Sequence, residues 1–525
     1  MKERKSQPTG RSAALLAAAC VLTLSLAACS EAPTSPPPAG DQSPAPSLAS
    51  GRARAASKAE RYKKYLSGGA YAALFGRRQG GFAHALGFPH GGRRGKIADL
   101  ADVLVNDRGQ PGVGQSEVTI AEHGGTIVAG YNDAAGFEDF DEGLTGWAIS
   151  HNRGRSFLDG GGLPHMASSG FIHFGDPGLA ADNGGTFYFT DLCFDFNTDP
   201  VLSGICLTTG RRHGQTIDWS TPIYVVSTLP EFLDKPFIAV DPQGRDVYVS
   251  YTRFSDALPC GQIEVIASHN GGQSFGRPVV VQPGENCVVN QGSEPAIGPN
   301  GQVYVTFERD WLTSLTPRIM ASRSLDAGAS FSPPAVVHTI TTIAFNPPSG
   351  YNRETINDYP RIAAAITGPF RGGVYITYHD ASSGSPDVFV SRSSDGLSWS
   401  GPVRVNHATA DYQFFPAVAI EPSGNVDVMW YDRSVNPGTA LTNTFWGQST
   451  DGGRTFDRNA RASDVATDWL ATVSDIAPNF GDYNDIAAGG NRAYVAWGDG
   501  RFGDPDVFFS EVRGAGRSPG IALTH

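Results

Sequence analysis

FPAVAIEPSGNVDVMWYDRSVNPGTALTNTFWGQSTDGGRTF (residues 415–456) decides how this chain folds. An apolar run, AVAI (417–420), meets a Pro/Gly turn, then the alternating run VDVMWY (426–431), a loop, and a third run entering STDGGRTF (449–456). Short runs of period two set between turn residues are antiparallel strands, not helices. At the end of the segment, Ser449, Asp451, Gly453 and Phe456 follow the pattern S-x-D-x-G-x-x-F. The short carboxylate can accept backbone N–H groups across the turn, glycine supplies a positive φ, and the aromatic ring packs back between strands. The pattern is a structural staple.

The staple recurs. Ser324 to Phe331 matches it in full with Asp326, 150–157 and 268–275 carry Asn152 and Asn270 at the acidic position, and 393–399 keeps Asp395 but is one residue short. Residues 208–219 (TTGRRHGQTIDW) look like a worn copy in the long first gap. Seven strand pairs precede or flank these turns, beginning with EVTIAEHGGTIVAGYND (117–133). Their equivalent core positions, Ile120, Leu179, Ile238, Ile297, Ile362, Val418 and Ile486, step by 59, 59, 59, 65, 56 and 68 residues, enough for four short strands and their turns. With 64 Gly, 36 Pro and 18% charged residues, the composition suits an all-β protein rich in tight turns.

Turn pattern and blade spacing together resemble the Asp-box repeats of the sialidase-like β-propellers, over roughly residues 98–512. The resemblance implies a β-propeller. The repeat count gives seven four-stranded blades, with the six-bladed sialidase-type ring as the alternative. Only the seventh unit lacks a fourth strand, and Leu104-Val105-Asn106 just ahead of blade 1 resembles Arg404-Val405-Asn406, so the N-terminal strand is expected to complete the last blade and close the ring.

The remaining chain reads as export and attachment. Basic residues Lys2, Arg4, Lys5 and Arg11 precede an apolar run (13–26) too short to span a bilayer, and Leu26-Ala27-Ala28-Cys29 resembles a bacterial lipobox. Residues 1–28 are then a lipoprotein signal and Cys29 the acylated N-terminus; an ordinary signal peptide with an incidental Cys is the alternative. A Pro/Ser/Ala tether (29–50) and a basic Gly-rich segment (51–97, net +10) lead to the propeller, and 513–525 form a tail. Since the whole chain is −12, the part after residue 97 carries −23, which offers nucleic acid no surface. A monomeric, membrane-anchored protein of the periplasm or cell surface is expected. In an exported chain, Cys193 with Cys206 and Cys260 with Cys287 are expected to form local disulfides.

In a propeller the turns between strands A and B and between C and D, the staples among them, lie on one face. The D–A and B–C loops lie on the other, and ligands are expected there. Asp176, Asp191, Arg253, Glu294, Arg309, Tyr359, Arg433, Tyr483 and Arg501 fall at that face, a mixture suited to a polar, hydroxylated ligand. Phe-Gly-Asp precedes strand A in blades 2 and 7 alone, which singles out Asp176 and Asp482 as candidate acid/base groups. The sialidase resemblance implies an Arg triad, a Tyr nucleophile with a Glu partner, and an Asp acid. The early Arg-Ile-Pro motif of that family is missing, since Pro360-Arg361-Ile362 has another order, in blade 5. Acidic clusters would suit Ca²⁺, but no dense Asp/Asn/Gly loop supports it, so no metal or cofactor is expected. Two readings remain: a surface propeller that binds or hydrolyses glycans, or a non-catalytic propeller that docks an envelope protein.

Overall fold

Alternating apolar runs can form stable strands here because each sheet buries both faces against neighbouring sheets. The computed structural model describes residues 102–513 apart from 109–111, 139–142, 168–169, 230, 256–260 and 286–287. Within them the strands form seven antiparallel sheets. Their inner strands, A, are Gln115–His123, Gly178–Ala181, Phe232–Val240, Asn290–Ile297, Arg361–Ala364, Gln413–Ile420 and Asp485–Ala488. Each touches the next blade, and Gln115–His123 touches Asp485–Ala488, so the ring is closed with seven members. The signal, the tether, the basic segment, Cys29 and the tail beyond Arg513 lie outside the described residues.

Closure is made by the N-terminal strand. Val103 and Leu104 pair with Phe509 and Phe508. Asn106 Oδ1 accepts the Val507 N–H at 2.8 Å, while its amide donates to Asp506 at 3.0 Å and to Gln115 at 3.3 Å. Asn406 in blade 5 does the same to Val388 N–H at 2.8 Å, Asp387 at 2.7 Å and Gln413 at 3.3 Å. The sequence likeness between the two Val-Asn pairs therefore reflects one job: holding strand C of one blade to the first residue of the next.

The repeated turns are hydrogen-bonded as their spacing requires. Ser449 Oγ donates to Asp451 Oδ1 at 2.8 Å and accepts Gly453 N–H at 2.8 Å, and Arg454 and Thr455 N–H reach Asp451 at 2.9 and 3.0 Å. Asp326 and Asp395 receive Ser330 N–H at 2.9 Å and Ser398 N–H at 2.8 Å. Asn152 and Asn270 each receive a serine N–H at 3.0 Å, so the amide oxygen serves as well as a carboxylate.

Two departures are corrections to the sequence reading. In blade 2 the stretch 208–219 is not a worn staple: strand Leu202–His213 turns at Gly214, with φ of 61°, directly into Thr216–Trp219, and Ile223–Thr228 adds to the same strand. In blade 4 the repeat is displaced by two residues. Ile120 pairs with the residue four before the end of strand B, Ala129, but the blade 4 residue in that place is Pro295, opposite Val305, and Ile297 lies further along. The Cys193–Cys206 disulfide joins strands B and C of blade 2. Cys260 and Cys287 lie outside the described residues.

Candidate functional site

Strand A is bulged where it approaches the axis. The register breaks between Ser116 and Thr119, Asp234 and Phe237, Gln291 and Glu294, and Phe414 and Ala417. At these breaks Glu117, Lys235, Gly292 and Phe415 take φ values of 56°, 52°, 67° and 50°, and Asp176 in blade 2 takes 55°. A bulge re-aims one side chain. Together with Tyr359 and Tyr483, three residues before Ile362 and Ile486, these positions make an axial ring that is charged on one side (Glu117, Asp176, Lys235) and aromatic on the other. Gly292 is needed because a Cβ there would fall 2.3 Å from the Tyr359 ring.

Lys235 organises the charged half. Its Nζ lies 3.1 Å from Glu117, 3.0 Å from Asp482 and 3.7 Å from Asp176, and 4.8 Å from the centre of the Tyr483 ring. Asp482 is also held by Arg353 at 2.5 Å, by Tyr351 Oη at 3.1 Å and by Asn357 at 3.1 Å. Lys235, Glu117, Asp176 and Asp482 are almost fully buried; only Arg353 keeps 14% of its side chain exposed.

Three carboxyls and two cations in a sealed cluster leave one negative charge in excess, so one carboxyl keeps its proton. Burial and its acidic neighbours make Glu117 the candidate for that proton. Burial pushes its pKa up, Lys235 opposes this, and Asp176 and Asp482 push it further up, so it stands well above the usual carboxylate range. The Asp176 carboxyl is the hydrogen-bonding neighbour of the Glu117 side chain. Burial works against the Asp482 charge, but Arg353 and Lys235 outweigh it and hold Asp482 ionised, below the usual range. Two carboxyls whose pKa values are pushed in opposite directions thus share one ammonium. A second pair of carboxylates lies beside them: Arg361 bridges Glu294 at 2.9 Å and Asp485 at 3.0 Å, over the Phe237 ring.

The other sequence candidates are placed elsewhere. Arg253 pairs with Glu231 and Glu264 at 2.6 and 2.9 Å, and Arg309 with Glu285 at 2.6 Å. Arg501 pairs with Asp102, Asp464 and Asp499 under the closing strand. Arg433 touches no carboxylate: it bonds Thr442 and the Ser349 carbonyl and lies over Trp469, and burial lowers its pKa to about 10. These four arginines do not converge on one ligand position, so they form no Arg triad of the kind the family resemblance implied. Asp191 bonds His173 and Thr145, both at 2.7 Å. Asp176, Asp482, Tyr359, Tyr483 and Glu294 are at the axis, where they meet Glu117 and Arg353, which sequence reasoning passed over. Glu117 occupies the same place in its repeat as Asp176 and Lys235, a signal that was available. Arg353 comes from a long D–A connection with no periodicity to mark it.

His173 makes a separate, fully buried pair. Its two ring nitrogens meet acceptors only, Asp191 at 2.7 Å and the Pro164 carbonyl at 3.0 Å, so both carry hydrogens and the ring is cationic. Burial disfavours that charge, but Asp191 and the two bonds outweigh it and raise the pKa above 6.5. A raised histidine pKa stabilises the fold fully below the unfolded value, and the contribution disappears as pH rises through the folded value. His173→Gln should therefore lower stability at pH 6 more than at pH 9, read from denaturant midpoints at both; an equal loss at both would contradict a charged His173.

Two D–A connections cover the axis. Residues 340–360 and 469–484 meet above Asp482, with Asn352 and Asn479 exchanging main-chain N–H to side-chain oxygen bonds at 3.3 and 2.8 Å. On the opposite face a groove of about 450 Å³ between blades 3 and 4 is lined by Ala267, His269, Phe275, Arg277 and Val279. It holds no acidic cluster.

Ring, blades and axial cluster define a seven-bladed all-β propeller, not a six-bladed one. No family model and no curated protein matches the chain. Among solved structures, a protein of unknown function from Dyadobacter fermentans is similar at 12% identity and a TM-score of 0.46, covering 79% of this chain and 98% of that one. An α-L-arabinanase of Penicillium chrysogenum complexed with arabinobiose is 11% identical, with a TM-score of 0.44, over 63% and 93%. A leech intramolecular trans-sialidase is 11% identical, with a TM-score of 0.36, over 76% and 68%. Likeness at this level says nothing about the chemistry at the axis.

Proposed function

We propose that the protein is an exported, lipid-anchored propeller that binds glycans at its loop face and hydrolyses them at the axis. The observation that carries this reading is the pair of buried carboxyls, Glu117 and Asp482, that share the Lys235 ammonium at 3.1 and 3.0 Å, with burial pushing the Glu117 pKa up and Arg353 and Lys235 holding that of Asp482 down. Opposite protonation states in neighbouring carboxyls are what acetal cleavage needs. Glu117 gives its proton to the leaving oxygen as the glycosidic C–O bond breaks. Water then bonds to the anomeric carbon, and its spare proton returns to the carboxyl set. Asp482, tied to Lys235 and Arg353, stabilises positive charge developing on the sugar. The test is a glycan array with a panel of chromogenic glycosides, using the full chain and Glu117→Gln. Binding and turnover are expected for the unmodified protein, and turnover is expected to fall at least about a hundredfold in the variant. Turnover unaffected by Glu117→Gln would reject the role of Glu117, and no binding to any glycan would reject the reading.

A second reading, docking of an envelope protein, is favoured by the outer surface of the loops. Residues 311–317, 339–352, 434–442 and 469–474 contain no charged side chain, and Leu315, Phe345, Val435, Leu470 and Val473 are 42–70% exposed. Uncharged loops that expose large apolar side chains suit an interaction surface.

Attachment is tested separately. Cys29→Ala should move the protein from the detergent phase to the aqueous phase on fractionation, and unchanged partitioning would exclude acylation at that residue.

A further inference from the structure

We propose that connections 340–360 and 469–484 form a clasp that shuts the axial chamber and opens as a unit to admit ligand. What enters rests on the glycan reading above; whether the clasp moves does not.

The tip of the first connection, 347–353, belongs to no strand. It takes one bond from blade 6, Arg433 to the Ser349 carbonyl, and bonds repeatedly to the second connection and to the residue it covers. Asn352 donates to the Ile476 carbonyl at 2.8 Å and Asn479 to the Gly350 carbonyl at 2.8 Å. Tyr351 Oη donates to the Gly481 carbonyl at 3.1 Å, and Arg353 closes on Asp482. Trp469 stacks on Phe480 at 4.1 Å and lies parallel to Tyr351 at 6.2 Å. By contrast the base of the connection is tied to the ring: Trp311 Nε1 bonds the Ile356 carbonyl at 3.1 Å, and Asp358 accepts from His379 Nε2 at 2.7 Å while its N–H donates to Glu308 at 3.2 Å. A segment hydrogen-bonded mainly to another loop, and set on blade 6 through ring contacts of Tyr351 with Phe415 and of Trp469 with Tyr431, opens without unfolding the blades.

Gly350 shows how closely the halves fit. It has a φ of 89°, and a Cβ there would lie 2.5 Å from the Trp469 carbonyl carbon and 2.7 Å from Leu470 N. Beneath the second connection, Gly481 packs on the backbone of Glu117, and the adjacent Ser116 is 1% exposed with its hydroxyl unpartnered. When the clasp is shut, nothing of ligand size reaches Glu117.

The experiment places a thiol under the clasp. Ser116→Cys is made in the full chain and its alkylation by iodoacetamide is timed, with the same chain lacking the substitution as background. Slow labelling is expected, and Gly350→Ala, a wedge between the halves, should speed it about tenfold or more. Arg353→Gln, which removes the latch on Asp482 without adding an atom to the backbone, should act in the same direction. Circular dichroism and melting establish that each variant is folded. Labelling that is unchanged in both folded variants, or that follows global unfolding in denaturant, overturns the clasp. Absent glycan binding with labelling accelerated as expected would leave the clasp standing and overturn only the glycan reading.

Discussion

Lys235→Met should cost the folded ring about 3–5 kcal/mol at pH 7.5, the range for a buried ion cluster that loses one partner. Methionine keeps the length of the stem and its packing on Tyr483, so the loss is electrostatic rather than a cavity. One ammonium within 3.7 Å of carboxyls from blades 1, 2 and 7 is the charge that lets those blades meet. Without it only Arg353 opposes them, from one side and through Asp482 alone. The orphaned carboxyls then hold protons more tightly folded than unfolded. The folded variant binds more protons than its unfolded chain, so its stability falls as pH rises and recovers as pH drops towards 5. Urea midpoints at pH 5 and 7.5 measure both effects. A variant that unfolds with the unmodified protein at pH 7.5 would mean that the cluster carries no net stabilisation.

What the sequence made legible was the local part of the fold. Period-two alternation marks strands, and the Ser–Asp–Gly spacing marks turns that satisfy their own hydrogen bonds; neither needs distant contacts. Ring closure was legible for the same reason, because Val105-Asn106 repeats Val405-Asn406 residue for residue. The blade 4 register was not. The shift there is two residues, one whole period of alternation, so Ile297 looks equivalent to Ile120 although Pro295 holds that place and Gly292 takes the bulge position. The arginines illustrate a second limit. Arg253, Arg309 and Arg501 stand at strand ends that do face the loops, but the carboxylates that engage them, Glu264, Glu285 and Asp464 among others, come from other strands and connections. Pairing across such distances leaves no spacing to read. Arg353 and the two connections are the extreme case, since aperiodic segments that meet at Asn352 and Ile476, 124 residues apart, find each other only in the closed ring.

Deleting residues 98–107 should destabilise the propeller by more than about 5 kcal/mol, the sum of burying Leu104 and Val105 and of the lost strand and Asn106 bonds. The damage is concentrated at one edge. Strand Asp506–Val512 would lose its outer partner, and with it the cover over an apolar run in which Val507, Phe508 and Phe509 are at most 1% exposed. Arg501 would lose Asp102 but keep Asp464 and Asp499, so the guanidinium stays paired and the exposed edge dominates the loss. An uncovered, largely apolar edge strand pairs with other chains, so aggregation should accompany the lower melting temperature. Asn106→Ala is the graded control: it keeps the strand but removes the bonds to Val507, Asp506 and Gln115, and should cost far less than the deletion. Thermal melting with size-exclusion chromatography reads both variants. A deletion variant that melts with the full chain and stays monomeric would mean that blade 7 needs no fourth strand, and that contacts between inner strands alone hold the ring shut.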